Sequence, residues 1–330
     1  MNPIQRKNIA VMAGGNSGEY QVSINSAANI LAHLNRDEYN PYLVVVRGED
    51  WYCETNGVRI PVNKGDLSVE TPEGILRFDA VFNIIHGTPG EDGMLQGYLD
   101  MIGIPYTSSG RLTSALTFNK FFCSRYVSVT QSVNHADVVM IRRGSEYVTE
   151  DILEITGLPC FVKPNKGGSS VGMSKVKQTE ELEAAIEKAL EQDDEVLIEA
   201  FVAGTEVTCG VFLMEGQLVV LPLTEIVSKT EYFDYEAKYH GKSDEITPAR
   251  IPEETANEIK RISSLLFRHL DCKGFVRFDY IISDRGIFFL EVNTVPGMSK
   301  ESIIPQMLAC HGLSLQDFLS GMIREAMGEI

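Results

Sequence analysis

The chain has 330 residues, 44% hydrophobic and 23% charged, which excludes a disordered or fibrous polymer. At about 100–200 residues per domain it should form two or three packed units. Asp and Glu outnumber Lys and Arg by 46 to 29, and the formal charge of −17 argues against nucleic acid or an anionic membrane surface as a partner. No apolar run reaches the roughly 18 residues that cross a bilayer, and Ile9–Met12 is too short for a signal-peptide core. The six cysteines are scattered, with no C-x-x-C pair and no Cys/His cluster, so a reducing cytoplasm is expected and zinc is not.

Asn8–Ala13 predicts a strand, Gly14-Gly15-Asn16-Ser17-Gly18 a turn, and Val22–Leu34 a helix with Ala27, Leu31 and Leu34 on one face. Pro41–Val46 and Asp79–Ile85 predict further strands, the second running into His86-Gly-Thr-Pro-Gly-Glu-Asp-Gly93 and a helix from Met94 to Met101. Such alternation implies a parallel sheet that gathers ligands at the carboxyl ends of its strands, where His86 and Glu91 stand. Arg111–Tyr126 reads as one helix carrying Lys120. Leu158–Lys163 and Met173–Val176 read as strands around a Gly/Ser loop, followed by a helix with Leu182, Ala185, Ile186 and Ala189 at helical spacing and a strand at Glu195–Glu199. Antiparallel signals then dominate. Glu206–Met214 and Gln217–Leu223 flank Glu215-Gly216, a helix starts at Pro252, and Phe275–Ser283 and Ile287–Asn293 flank Asp284-Arg285-Gly286. Tyr232–Asp244 reads as a long loop. The class is α/β, turning to α+β in the C-terminal part, with units expected at 1–108, 109–199 and 200–330.

Period-two alternation puts Arg277 and Asp279 on one face of the last hairpin's first strand, and Glu291 and Asn293 on one face of its second. Counting outward from the turn sets Asp279 opposite Glu291. Opposed carboxylates need compensation, which a hard cation such as Mg²⁺, a bridge to Arg277 or plain solvation would each provide. Lys163-Pro-Asn-Lys-Gly-Gly-Ser-Ser-Val-Gly172 offers a cation, hydroxyls and backbone N–H groups to a phosphate chain, with a surface hairpin as the alternative. It is not a Walker loop. Its G-x-S-x-G run is not a nucleophile elbow either, because a strand follows it rather than a helix. Gly14-Gly15-x-x-Gly18 lacks the G-x-G-x-x-G spacing of a dinucleotide site, so a nicotinamide dehydrogenase is disfavoured.

Seven blocks, in order along nearly the whole chain, resemble the D-alanine–D-alanine ligases of the ATP-grasp superfamily. They are Gly14-Gly-Asn-Ser-Gly-Glu-Tyr-Gln-Val-Ser23, His86-Gly-Thr-Pro-Gly-Glu-Asp-Gly-Met-Leu-Gln-Gly97, Gly103-Ile-Pro-Tyr-Thr107, the Lys163–Gly172 loop, Phe233-Asp-Tyr-Glu-Ala-Lys-Tyr239, Arg277-Phe-Asp279 and Glu291-Val-Asn-Thr-Val-Pro-Gly-Met298. The resemblance implies an ATP-grasp fold preceded by an N-terminal parallel α/β domain. It implies ligation of two D-alanine molecules through an acyl phosphate, releasing ADP and phosphate, for peptidoglycan precursors. It also implies a cytoplasmic homodimer, ATP as co-substrate, and two Mg²⁺ ions (Mn²⁺ substituting) on Asp279, Glu291 and Asn293.

On the same basis Lys120, Lys163 and Lys238 would contact the ATP phosphates, with Ser169 and Ser170 in the covering loop. Glu199, Ala200, Phe201, Val202 and Glu206 would hold adenine and ribose, with Phe233 and Phe289 also at the nucleotide. Arg277 and the N–H of Gly297 would hold the tetrahedral oxyanion, and Ser169 and Tyr239 would help close the catalytic centre. Glu19, Val22 and His86 would meet the first D-alanine, and Ser302 and Ile303 the second. One departure stands out: the pattern places a glutamate just before Val-Ser to bind the first ammonium, and here that residue is Gln21. A weaker first site is expected, the ammonium being met either by Glu19 swinging in or by His86 with water and a weaker dipole. The alternatives are a ligase using D-serine or D-lactate as second partner, with Tyr239 favouring an amine, and a non-catalytic nucleotide-binding protein.

Overall fold

The computed structural model describes residues 6–55, 57–228 and 243–329. The first apolar run forms β1 (Lys7–Gly14), parallel to β2 (Tyr39–Arg47) and β7 (Ala80–Asn83), with α1 (Tyr20–His33) as the β1–β2 crossover. Beyond β2 the sheet continues as an antiparallel meander, β3 (Asp50–Thr55), β4 (Val58–Asn63), β5 (Ser68–Thr71) and β6 (Gly74–Leu76), in the order β6-β5-β4-β3-β2-β1-β7. The sheet is therefore mixed, its parallel strands extended by a meander of short, partly exposed strands. The loops leaving β1 and β7 lie side by side, because the Asn16 N–H donates to the Thr88 carbonyl at 2.9 Å. α2 (Met94–Ile102) follows.

The helix expected over 111–126 is two helices, α3 (Arg111–Phe118) and α4 (Lys120–Ser128), broken at Asn119, where φ is −85° and ψ 100°. Both pack on the last sheet: Cys123 and Val127 are buried with Val207, Phe278 and Phe289. The stretch from 109 to 128, expected in the middle unit, thus sides by packing with the C-terminal one. The middle sheet is antiparallel, in the order β10-β9-β11-β8, from β8 (Val138–Arg142), β9 (Cys160–Pro164), β10 (Ser174–Val176) and β11 (Glu195–Ala200). α5 (Thr149–Thr156) and α6 (Leu182–Leu190) cover it, closing a separate core around Ile152, Val162, Ile186 and Ile198.

The last sheet runs β15-β14-β12-β16-β17, with β13 also on β12: β12 (Thr205–Met214), β13 (Gln217–Val220), β14 (Thr224–Ser228), β15 (Ser243–Ile246), β16 (Phe275–Ser283) and β17 (Gly286–Asn293). α7 (Glu253–His269) buries Ile259, Ile262 and Leu266 against it. α8 (Ile303–His311) and α9 (Leu315–Met327) join it to the first sheet. Phe318 of α9 meets Phe212 and Phe275 edge-on at centroid distances of 4.9 and 5.4 Å, and Phe82 of β7 lies 6.2 Å from Phe275. Such pairs contribute about 0.5–1.5 kcal/mol each beyond area burial. The junction is close: at Gly274 (φ +62°) a Cβ would fall 1.9 Å from the Thr107 carbonyl oxygen, so only glycine fits. First and last sheets therefore share one core, and the middle sheet has its own.

Candidate active site

In the β16–β17 hairpin Ser283 pairs with Gly286 and Tyr280 with Phe289. A β-bulge between Asp279 and Tyr280 then shifts the register, bringing Asp279 opposite Glu291 and Arg277 opposite Asn293. The carboxylate pairing read from the sequence is present, reached through an irregularity rather than a regular ladder. Because the bulged strand sets two residues against one, Leu290 and Glu291 both line the cavity. Phe289, expected at the nucleotide, instead packs in the core, edge-on to Tyr280 and His135 at 6.2 and 5.9 Å.

Asp279 is buried and well held. Arg277 grips it through Nε–Oδ1 at 2.8 Å and Nη2–Oδ2 at 2.7 Å, and the Thr208 hydroxyl donates to Oδ1 at 2.6 Å. Burial works against the Arg277 charge, but Asp279 and Glu291 outweigh it and raise the guanidinium pKa, so it stays cationic. Lys120 Nζ reaches Glu291 Oε2 at 3.1 Å and donates to the Gly167 carbonyl at 2.7 Å. Its pKa too is raised, burial being overcome by Glu291, Glu91 and Glu199.

Two cavities meet here. The first lies between the middle and last sheets, where Lys163 Nζ pairs with Glu199 Oε2 at 2.6 Å. Ala200, Val202, Glu206, Ser169 and Ser170 line it, with Phe161, Met173, Ile281 and Leu290 supplying an apolar wall. Ser169 and Ser170 hold φ of +53° and +56°, unusual for residues with a side chain. Phe201 does not line it: its ring carries Lys175 Nζ at 4.1 Å, and its N–H donates to the Pro159 carbonyl.

The second cavity lies between the loops of the first sheet and the last sheet. Glu19, Val22, His86, Glu91, Asn293, Gly297, Ser302 and Ile303 line it, together with Glu245 and Glu301. The Ser169 hydroxyl donates to Glu19 Oε1, and a Cβ at Gly168 would meet Glu19 Oε2 at 2.6 Å, so the covering loop lies directly against the Glu19 carboxylate. The Gly297 loop is pinned to α1, with Met298 N–H donating to Ser26 Oγ at 3.1 Å and Asn29 Nδ2 to the Met298 carbonyl at 2.7 Å. Lys120, Gly167, Gly168, Ser169, Arg277, Glu291 and Ile303 line both cavities. Cations, a hydroxyl and a carboxylate therefore stand where the two spaces join, an arrangement suited to moving an anionic group from one ligand to another.

Two family models match: the D-ala D-ala ligase N-terminus over residues 8–109 and the D-ala D-ala ligase C-terminus over 130–324. The chain belongs to the D-alanine–D-alanine ligase family. Among its relatives in this family, the D-alanine–D-alanine ligase of Phocaeicola vulgatus is 44% identical over 320 residues, covering 96% of this chain and 98% of that protein. That of Parabacteroides distasonis is 44% identical over 324 residues, covering 98% of each. Solved structures of like fold include a D-Ala:D-Ser ligase from Enterococcus faecalis (34% identity, TM-score 0.86, 97% and 99% of the two chains). Another is the D-alanyl-alanine synthetase A of Vibrio cholerae (26%, TM-score 0.88, 98% and 99%).

Within this ligase-family fold a third expected site residue, after Phe201 and Phe289, stands elsewhere. Gln21 is exposed on α1, its Nε2 donating to Asn25 Oδ1 at 2.9 Å, and it lines neither cavity. Glu19, just before the helix, lines the second cavity instead, and it needs no swing to reach it. Phe233, Lys238 and Tyr239 lie outside the described residues. Among the described residues no three His, Cys, Asp or Glu groups cluster as a metal site. The ligand set expected for Mg²⁺, two carboxylates and the Asn293 amide, is all oxygen, which suits a hard cation.

The sequence reading placed Glu91 at a strand end without assigning it a role. Burial, then the neighbouring Glu19 carboxylate, push Glu91 up to about 8, while the Gly87 N–H at 2.6 Å pulls it down. His86 is buried, which holds its imidazole below the usual range, and its Nε2 has no hydrogen-bond partner among the described residues. With the Glu91 pKa raised from 4.5 to about 8, the folded chain binds more protons than the unfolded one between those values. Its stability without substrates therefore falls as pH rises through that window. Glu91→Gln, which mimics the protonated acid, is expected to raise the Tm at pH 8, by roughly 2–4 °C per kcal/mol recovered, and to change it little at pH 5. Thermal melts at the two pH values check this.

Proposed function

We propose that this family member joins two D-alanine molecules into D-alanyl-D-alanine, converting ATP to ADP and phosphate, for peptidoglycan precursor synthesis. The observation that carries the reading is the shared wall of the two cavities. Lys120, Ser169 and Arg277 line both, so a carboxylate bound in the second would face the end of a phosphate chain bound in the first.

In this reading Glu199, Ala200, Val202 and Glu206 hold adenine and ribose, and Lys120 and Lys163 exchange Glu291 and Glu199 for phosphate oxygens. Glu19 receives the ammonium of the first D-alanine, beside Val22 and His86. The carboxylate of that D-alanine attacks the γ-phosphorus and the bond to ADP breaks, leaving an acyl phosphate. The amine of the second D-alanine, seated at Ser302 and Ile303, then attacks the acyl carbon, loses a proton, and phosphate departs. Arg277 and the Gly297 N–H stabilise the oxyanion between these events, as pre-oriented donors do where charge develops. The covering loop, latched through Ser169 to Glu19, keeps water from the acyl phosphate. Asp279, Glu291 and Asn293 would hold Mg²⁺, which supplies charge neutralisation on the transferring phosphoryl group.

ADP release with Mg-ATP and D-alanine, against L-alanine and against D-alanine with D-serine or D-lactate, tests the reading. D-alanine alone should suffice. Turnover only with D-serine present would move the acceptor assignment toward that of the Enterococcus faecalis relative. Chelation by EDTA is expected to abolish turnover, with Mg²⁺ restoring it and Mn²⁺ substituting; full activity in EDTA would contradict the ligand set. The reading includes a homodimer in the cytoplasm, which sedimentation and fractionation check. No helix among the described residues is long and apolar enough to cross a membrane.

A further inference from the structure

Asn165 is fully buried between Pro164 and Lys166, which line the first cavity, and all its polar groups are used. Its N–H donates to the Glu195 carbonyl at 2.9 Å, continuing the β9–β11 ladder, and its Nδ2 donates to Glu195 Oε2 at 2.8 Å. Its two oxygens face the start of α4: the carbonyl accepts from Lys120 N–H at 3.2 Å, and Oδ1 from Phe121 N–H at 2.9 Å. Asn119 Oδ1 takes the third helix donor, Phe122 N–H, at 2.9 Å. A helix start leaves its first N–H groups without internal partners. Here two of the three are met from another segment of the chain. α4 packs in the core of the last sheet and Asn165 directly follows β9 of the middle sheet, so this cap ties the two halves that face each other across the nucleotide cavity.

Lys120 is the first residue of α4, and Lys163 lies two residues before Asn165. We propose that Asn165 is a positioning residue that caps α4 from the opposite half and so fixes the spacing of the two phosphate-facing lysines. The proposal rests on the reading of the first cavity as the ATP site. Glu195 holds the Asn165 amide in register, and is itself held by Arg142 Nε at 3.1 Å and Lys166 Nζ at 3.2 Å. The exchange of polarity across this pair is what makes the role testable.

Asn165→Asp keeps the acceptor for Phe121 but sets a second carboxylate against Glu195. Asn165→Ala removes the side-chain cap and the link to Glu195. Asn165→Asp with Glu195→Gln restores the hydrogen bond with donor and acceptor exchanged. Steady-state kinetics and thermal melts of the four proteins, wild type included, read the proposal. Both single variants should raise the KM for Mg-ATP about tenfold, the equivalent of 1.4 kcal/mol, with the D-alanine constants within about twofold and the double variant near wild type. Unchanged KM for Mg-ATP in both single variants would overturn it. So would equal losses on every substrate that the double variant does not rescue, since that marks a merely structural group. A wild-type protein without D-alanine-dependent turnover would count against the proposed function instead, and Mg-ATP dissociation constants by calorimetry would then read the same series.

Discussion

Arg277→Gln should lower kcat by about a hundred- to thousandfold, the loss of about 3–4 kcal/mol that follows removal of one oxyanion donor. Two observations set that size. The guanidinium is mostly buried, its side chain 16% exposed, and it is kept charged, so its field is only partly screened, and it lines both cavities. Its Nε and Nη2 are committed to Asp279, which fixes the plane of the group before any substrate arrives. Glutamine fills part of the space and retains an amide donor, but carries no charge and cannot grip Asp279 through two parallel bonds. The KM for ATP should move much less than kcat, because Lys163, Glu199 and Glu206 are untouched. A rise in KM alone with kcat preserved would remove Arg277 from the oxyanion role. Thermal melts accompany the kinetics, since Asp279 loses its partner in the same variant.

The second large effect separates two carboxamide/carboxylate positions two residues apart. Glu19→Gln should raise the KM for the first D-alanine by roughly thirtyfold or more, about 2 kcal/mol or above for removing one partner of a desolvated charge pair. Gln21→Glu should leave that constant within about twofold, because an exposed side chain bonded to Asn25 adds only a screened surface charge. The reverse outcome, tightening by Gln21→Glu and indifference to Glu19→Gln, would return the ammonium site to position 21. Initial rates at saturating ATP across a D-alanine series resolve the two binding constants.

Gln21 stands away from the cavities for a geometric reason. α1 begins at Tyr20, and residues two apart on a helix point about 200° from each other, so position 21 faces solvent while position 19 stays over the loop. A motif fixes the order of residues but not where the helix starts. The last hairpin was legible because period-two alternation and a Gly turn locate Arg277, Asp279, Glu291 and Asn293 together. The bulge was not legible, since it depends on how β17 meets β16, and it exchanged Phe289 for Leu290 at the nucleotide wall. The break at Asn119 was hidden for a similar reason. Its neighbours read as one helix, and the acceptors that start α4 come partly from Asn165, 46 positions from Asn119. The β3–β6 meander escaped notice because its strands are three to six residues long and half exposed.

The first D-alanine carboxylate is expected to attack phosphorus across the shared wall of the two cavities. Turnover with D-alanine labelled with ¹⁸O in both carboxylate oxygens tests this directly, by mass spectrometry of the released phosphate. One carboxylate oxygen becomes the bridge of the acyl phosphate and leaves with phosphorus, and the other stays in the peptide carbonyl. The expected result is one ¹⁸O in the phosphate for each dipeptide formed. Dipeptide formation with unlabelled phosphate would mean that no acyl phosphate forms between the cavities, and would contradict the account.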